Sequence, residues 1–334
     1  MEWNIGYSAL FYISRVDRDS WRSVGRYEFT EGSVTRQNKD LRQSADLKFH
    51  NEFTHSGQWL RIHAIVKQGD TSETVSLFTG IATSPSRDID GYRSTYNAEL
   101  YSVLFPADKN LLPIGWYVPA GSNGAIVIRE LLDVTPAPVV LGQGISTLSQ
   151  SIIAEKNETR LSMIEKILEA INWRLYIDGD GTIHVEPKAQ DAVITYDPVI
   201  NDSIEPKITE ESDRFDCPNV YRAISDDISA VARDDDPESE LSTVSRGMEI
   251  WEQDTSCKLN DGESLASYAM RMLKERQNAS VNVSYDRRFN PDVNVTDIVN
   301  LNYPAQGIVG LYTVDKQTIE LGHNIRTSEE VIRA

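Results

Sequence analysis

Two cysteines in 334 residues, Cys217 and Cys257, are too few for a disulfide framework, and no Cys-x-x-Cys or similar spacing offers a zinc site. Synthesis in a reducing host cytoplasm is the expectation. Long hydrophobic runs are also missing: no apolar stretch approaches the roughly 20 residues that a membrane helix needs, so no membrane insertion is expected. The opening Met1-Glu2-Trp3-Asn4-Ile5-Gly6 lacks a basic region followed by an apolar core, which argues against signal-directed export. Positive charge is scarce, with 33 Lys and Arg against 51 Asp and Glu, a net charge of -18 and a pI near 4.7. A partner held by its phosphates draws on clustered Lys and Arg, so specific nucleic-acid binding is not expected. An acidic wall would instead repel a phosphate backbone and let it slide, although the same acidity also keeps a particle soluble. Nucleophile elbows, phosphate loops and dinucleotide fingerprints are all absent. No catalytic, cofactor-binding or metal-ligating residue is therefore assigned, and no cofactor.

What is present belongs to a folded chain: 40% hydrophobic and 25% charged residues, long enough for two or three domains. From Leu10 to Phe105 the signals are strands and turns. Ala45, Leu47 and Phe49 alternate with polar neighbours, as do Leu60, Ile62, Ala64 and Val66 with Arg61 and His63, and Gln68-Gly69-Asp70 and Asp90-Gly91 mark turns. Between Pro106 and Gly144 prolines and glycines mark a boundary, with one helix expected over Ala125 to Val134. A stronger helix carries Leu161, Ile164, Ile167, Leu168 and Ile171 on one stripe, followed by a hairpin around Asp178-Gly179-Asp180-Gly181. Strands return from Ala192. A second amphipathic helix carries Leu265, Tyr268, Ala269, Met272 and Leu273, with Asn260 and Glu263 placed for a capping box. Beyond it, Val281, Val283 and Tyr285, and then Val293, Val295, Val299, Leu301 and Tyr303, alternate as half-buried strands. The pattern predicts an α+β, mainly β chain: a first β-barrel in 1–105, an α/β insertion in 106–190, and a second barrel in 191–334 with a helical insertion around 244–279.

Several groups invite chemistry. Asp178-Gly179-Asp180-Gly181 begins like a calcium loop, but the third ligand position falls on Thr182 and the glycine comes too early, so a hairpin turn is expected. His50 and His55 flank Glu52, yet five residues apart on a helix they diverge by roughly 140°. His63, His184 and His323 stand alone. The acidic loop at 234–240, with Asp234, Asp235, Asp236, Glu238 and Glu240, reads as a solvated and mobile segment rather than a cation cage or an acid/base pair. Arg287-Arg288 is too small for a nucleic-acid surface and fits an inter-subunit salt bridge as well.

The wording of several stretches goes further than their pattern. Arg15-Val16-Asp17, Trp21, Gly32-Ser33-Val34-Thr35-Arg36 and Leu41-Arg42-Gln43-Ser44-Ala45-Asp46-Leu47 resemble the opening of baseplate hub proteins from phage tails and phage-like particles, the contractile-tail hub family in its Gram-positive prophage-like form. Ala170-Ile171-Asn172-Trp173 and Ile183-His184-Val185-Glu186-Pro187 resemble that family's inserted α/β domain. Asn290-Pro291, Val295-Thr296-Asp297-Ile298-Val299, Gly310-Leu311-Tyr312-Thr313-Val314 and Ile319-Glu320-Leu321 resemble its C-terminal part.

The resemblance implies two antiparallel hub-type β-barrels with small α/β insertions. It implies a homotrimeric ring, a symmetry adaptor joining the sixfold tail tube to the threefold central spike around the channel for tape-measure protein and DNA. The implied partners are the tail tube protein, the central spike protein, the tape-measure protein and other baseplate proteins, and the implied location is the tail baseplate of the virion. Some hubs of that family carry a fused cell-wall hydrolase; with Ala334 soon after the last strand, none is expected here. The competing readings are a tail-associated cell-wall hydrolase using Asp234 and Glu238, and a receptor- or sugar-binding tail module. For the latter, the six tryptophans, Trp3, Trp21, Trp59, Trp116, Trp173 and Trp251, are scattered rather than clustered.

Overall fold

The structure, a computed structural model, describes residues 1–334 apart from 213, 226–227, 256, 258, 261, 280, 323–324 and the side chain of 279. His323 lies outside the described residues. Strand outweighs helix, 47% against 15%, and most ladders are antiparallel, so the chain is mainly β.

The first lobe comprises β1 (Ser8–Val16), β2 (Ser23–Tyr27), β3 (Glu31–Gln37), β4 (Gln43–Phe49), β5 (Trp59–Gln68), β6 (Thr71–Ala82), β7 (Ser86–Asp90) and β8 (Arg93–Ser102). Their spatial order is β3-β4-β8-β6-β5-β1-β2, with β7 alongside β8. Strict alternation in β4 sends Ala45, Leu47 and Phe49 into an apolar core shared with Ile13, Leu60, Ile62, Phe78 and Leu100. In β5 both faces are buried, because Arg61 and His63 on the far side are covered as well.

The middle of the chain supplies α1 (Phe105–Lys109), β9 (Tyr117–Val118), α2 (Gly124–Leu131), β10 (Val139–Leu141), β11 (Ile152–Ile153), α3 (Arg160–Ile171), β12 (Trp173–Ile177) and β13 (Ile183–Pro187). A three-stranded sheet, β10-β13-β12, carries α2 and α3, and their apolar stripes form one core with Trp173, Leu175 and Val185. The Thr159 hydroxyl caps α3 by accepting from Ser162 N at 3.1 Å, and Asn172 ends it in the left-handed region at φ 54°.

The remainder forms β14 (Ala192–Tyr196), β15 (Ile204–Ser212), β16 (Val220–Ser225), β17 (Ile228–Arg233), α4 (Thr243–Arg246), β18 (Trp251–Asp254), α5 (Leu265–Ala279), β19 (Val281–Arg288), β20 (Ile298–Tyr303), β21 (Ile308–Glu320) and β22 (Arg326–Arg333). Six of these strands make the second lobe, ordered β14-β20-β21-β22-β19-β15. β16, β17 and β18 leave it to form a separate sheet, on which α5 packs Tyr268, Ala269, Met272 and Leu273. Ser264 caps α5, accepting from Ser267 N at 3.1 Å, while Glu263 accepts from Asn260 N at 2.9 Å in the turn before it. The capping box expected at Asn260 is thus one turn early. Val293 and Val295 are buried in the second core, but not on a strand: Asp297 closes a turn by accepting from Asn294 N at 2.8 Å, Thr296 is left-handed at φ 73°, and β20 starts only at Ile298.

One strand joins the lobes. β21 pairs with β20 through Ile308–Thr313 and β22 along much of its length, and then with β3 through Lys316–Glu320, changing neighbours across a bulge between Val314 and Lys316. A single hydrogen-bonded network therefore runs through both lobes. No closed barrel is seen among the described residues; each lobe is a curled open sheet.

Along the inner face of this network the two apolar cores are separated by a polar belt. Tyr285, Glu329, Gln317, Arg36 and Gln43 sit opposite one another on β19, β22, β21, β3 and β4, and each is at most 4% exposed. Arg287 joins them, paired with Glu329, which also accepts from Gln317 Nε2 at 2.7 Å. Burial works against the Arg287 cation, and the Glu329 carboxylate outweighs it, holding the guanidinium above its ordinary value. Among the described residues Arg36 faces no carboxylate at contact distance; burial, with Arg287 nearby, pushes it down to about 10.

Candidate functional site

Of the groups that invited chemistry in the sequence, the turn at Asp178 is committed to holding lobes together. In the turn between β12 and β13, Asp178 accepts from Thr182 N at 2.8 Å and contacts His184 Nε2 at 3.0 Å. Burial raises the Asp178 carboxyl, but those hydrogen bonds prevail and leave it below its usual value. The next carbonyls face the first lobe: Gly179 O accepts from Thr79 Oγ1 at 2.8 Å, and Asp180 O accepts from Trp21 Nε1 at 2.8 Å and Arg61 Nη2 at 2.7 Å. The approach is so close that a Cβ on Gly179 would lie 1.8 Å from Ser76 O. This is why Arg61 and His63 are buried, and why the turn needs glycine there.

Two further ties converge nearby. Arg42 on the first lobe makes a bidentate pair with Glu165 of α3, both contacts at 2.7 Å. Arg174 of β12 bridges Glu186 at 2.6 Å and Asp297 of the second lobe at 2.7 Å. The α/β unit is thereby bolted to both lobes.

The other candidates separate. His50 and Glu52 are exposed, while His55 lies against Tyr27 with the rings tilted at 55°, so they do not converge. Among the described residues no three His, Cys, Asp or Glu side chains are gathered as metal ligands. In the acidic loop, Asp234 accepts from Ser239 Oγ at 2.7 Å and Gln277 Nε2 at 3.0 Å, Asp235 pairs with Arg233 at 2.7 Å, and Asp236 accepts from Glu238 N at 2.9 Å. These three carboxylates are spent on ordering the loop. The Arg287 side chain cannot reach another subunit, because alternation from Val281 carries it inward to Glu329; Arg288, on the other face, donates to Asn4 O at 2.5 Å. Ser14 Oγ lies 2.9 Å from His63 Nε2, a nucleophile-and-base contact in distance only, since Ser14 is 1% exposed. Of the tryptophans, Trp59 and Trp173 are buried and Trp251 is exposed, with Arg222 stacked 4.8 Å from its ring.

What remains open is surface. A concave cleft of about 680 Å³ lies on the outer face of the sheet where the lobes meet. Glu320, Ser33, Asp46 and Glu99 cross it in register on β21, β3, β4 and β8, with Glu31 and Lys48 beside them. Burial and the facing Glu99 raise the Asp46 carboxyl. With Glu31, Asp46, Glu99 and Glu320 against Lys48, such a face repels anions.

No protein-family model and no curated protein matches the sequence. Solved structures do match in shape. The tail protein from Neisseria meningitidis MC58 superposes with a TM-score of 0.70 over 98% of this chain and 97% of its own, at 13% identity. The 43 kDa tail protein of prophage MuSo2 from Shewanella oneidensis gives 0.69 over 97% and 98%, at 12% identity. An Escherichia coli component of the type VI secretion system, described as structurally similar to T4 bacteriophage tail proteins, gives 0.55 over 92% and 74%, at 7% identity. At such identities it is the fold that is shared, and the fold of this chain is that of phage and prophage tail proteins.

Proposed function

We propose that the chain is the structural baseplate hub of a phage or phage-like tail, and not an enzyme. Three copies form a ring that joins the sixfold tube to the threefold spike, working with the tube, spike and tape-measure proteins. The observation that carries this reading is the doubling within one chain: two mainly antiparallel lobes, each accompanied by a three-stranded sheet that carries helix. Three such chains offer six comparable β units, which is what an adaptor between sixfold and threefold parts requires. Full-length likeness to tail proteins supports the same reading.

The acidic cleft is assigned in this proposal to the wall of the central channel, where it keeps passing DNA from sticking. A cryo-EM map of the assembled tail tests both statements. A threefold ring of this chain at the tube's end, with an acidic bore, is the expected result. A single copy, or placement away from the tube, sinks the hub; a neutral or basic bore sinks the channel role. The hydrolase reading needs Asp234 and Glu238, and the Asp234 carboxylate is held by Ser239 and Gln277; turnover on purified peptidoglycan is the result that would favour that reading.

A further inference from the structure

Resting on the ring reading, we infer that neighbouring copies join strand to strand, β2 of one copy adding to β15 of the next. The continuous network has the path β15-β19-β22-β21-β3-β4-β8-β6-β5-β1-β2, so these two strands are its ends. Among the described residues β2 pairs only with β1, and β15 only with β19. Each end thus presents unpaired backbone N–H and C=O groups, a template for one more strand. β2 spans the five residues Ser23–Tyr27, with a bulge between Val24 and Tyr27 where Gly25 is left-handed at φ 75°, and beyond Pro206 and the irregularity before Ile208, β15 is regular over the five residues Ile208–Ser212.

Charge selects the pairing. Around β2, Arg15, Arg18, Arg22 and Arg26 are all exposed, and among the described residues none makes an ion pair, although Arg26 stacks on Tyr12. Exposed Asp17 and Asp19 share the stretch, so arginine exceeds acid by two in these twelve residues, a local basic excess in a chain of net charge -18 where Arg42, Arg61, Arg160, Arg174, Arg271 and Arg287 all sit on carboxylates. At the other end, Glu210 and Glu211 are exposed and without an ion pair among the described residues, while Glu205 is taken by Arg326. A basic end facing an acidic end disfavours like-to-like pairing and favours head-to-tail addition. Contacts of that heterologous kind close into rings, and the occupant of each end is a second copy of this chain. The other open strands are less suited: β14 is uncharged apart from its flanks, and β7 alternates Arg87 with Asp88 and Asp90, whereas the regular part of β15, beyond Lys207, carries only the acids Glu210 and Glu211.

The test uses the full chain. Arg22→Glu with Arg26→Glu, and separately Glu210→Arg with Glu211→Arg, are each expected to weaken assembly by roughly tenfold or more in native mass spectrometry. Chains carrying all four reversals, which restore complementarity, are expected to assemble again, a result misfolding cannot give. Mixing a Val24→Cys chain with a Thr209→Cys chain is expected to yield a covalent dimer that neither gives alone above the baseline of Cys217 and Cys257, which are buried. Rings that persist through both reversals without forming the cross-link overturn this pairing and leave the hub standing. A tail map without a ring of this chain removes the hub reading on separate grounds.

Discussion

Gly179 is the position where one added methyl group is expected to do the most damage. Its backbone angles suit any residue, because it is not among the positive-φ glycines, so the effect of Gly179→Ala is purely one of space. The new Cβ would lie 1.8 Å from Ser76 O and 2.4 Å from its carbonyl carbon, both main-chain atoms inside a ladder. Neither can swing away, so the turn must retreat by more than an ångström. Retreat breaks the bonds from Thr79 Oγ1, Trp21 Nε1 and Arg61 Nη2, which begin at 2.7 to 2.8 Å. At about 0.5–1.5 kcal/mol each, and with Arg61 left buried beside fewer partners, the loss is about 2–4 kcal/mol. That is a large part of the roughly 5–15 kcal/mol that holds a domain folded. Urea unfolding followed by limited proteolysis is the assay, and cleavage between the first lobe and the α/β unit is expected to precede global unfolding. Gly6→Ala, with nothing within 4 Å, is the control. If Gly179→Ala unfolds at the same urea concentration as the parent, the docking of this turn contributes little and the reasoning fails.

Three other outcomes follow from the same physics. Glu329→Ala strands Arg287 as a buried cation and is expected to destabilise by about 3–5 kcal/mol in denaturant unfolding, with Arg287→Met added to it recovering much of the loss. Burial, helped by Arg61, holds His63 down to about 4, against 6.5 when free. The unfolded chain therefore binds the proton first, and stability drops as pH falls from about 6.5 towards 4, by at most about 3 kcal/mol; His63→Gln is expected to flatten that part of the pH-stability curve. Removing the α3 cap with Thr159→Ala is expected to destabilise the α/β unit by about 1 kcal/mol, seen as a lower thermal midpoint.

Much of the local structure is legible in the residues. The alternation in β4 and β19, the stripes of α3 and α5 and the turn at Asp178 each arise from short-range spacing, which is what a period of 2 or 3.6 reports. Partnership is another matter. Nothing in the alternation of Ser33–Gln37 says that its neighbour is Lys316–Glu320, some 280 positions away, or that β16 leaves the large sheet for a small one. The belt was hidden for a related reason: Arg36, Gln317 and Glu329 occupy inward positions, yet polar letters in a strand read as its wet face. Arg287 misleads in the same way, since only the arrival of Glu329 on β22 makes its burial affordable. Functional surface was the least legible, because an open strand end is defined by what fails to pair with it.

β21 has a mechanical implication. A strand of thirteen residues that grips β20 with one half, β3 with the other and β22 alongside behaves as a girder laid across a joint. Swinging one lobe against the other would require it to bend or shed rungs, so the angle between them is set when the chain folds. The proposed adaptor, presenting three molecules as six stations, would need that fixed angle, since stations that drifted would fall out of step with the tube above.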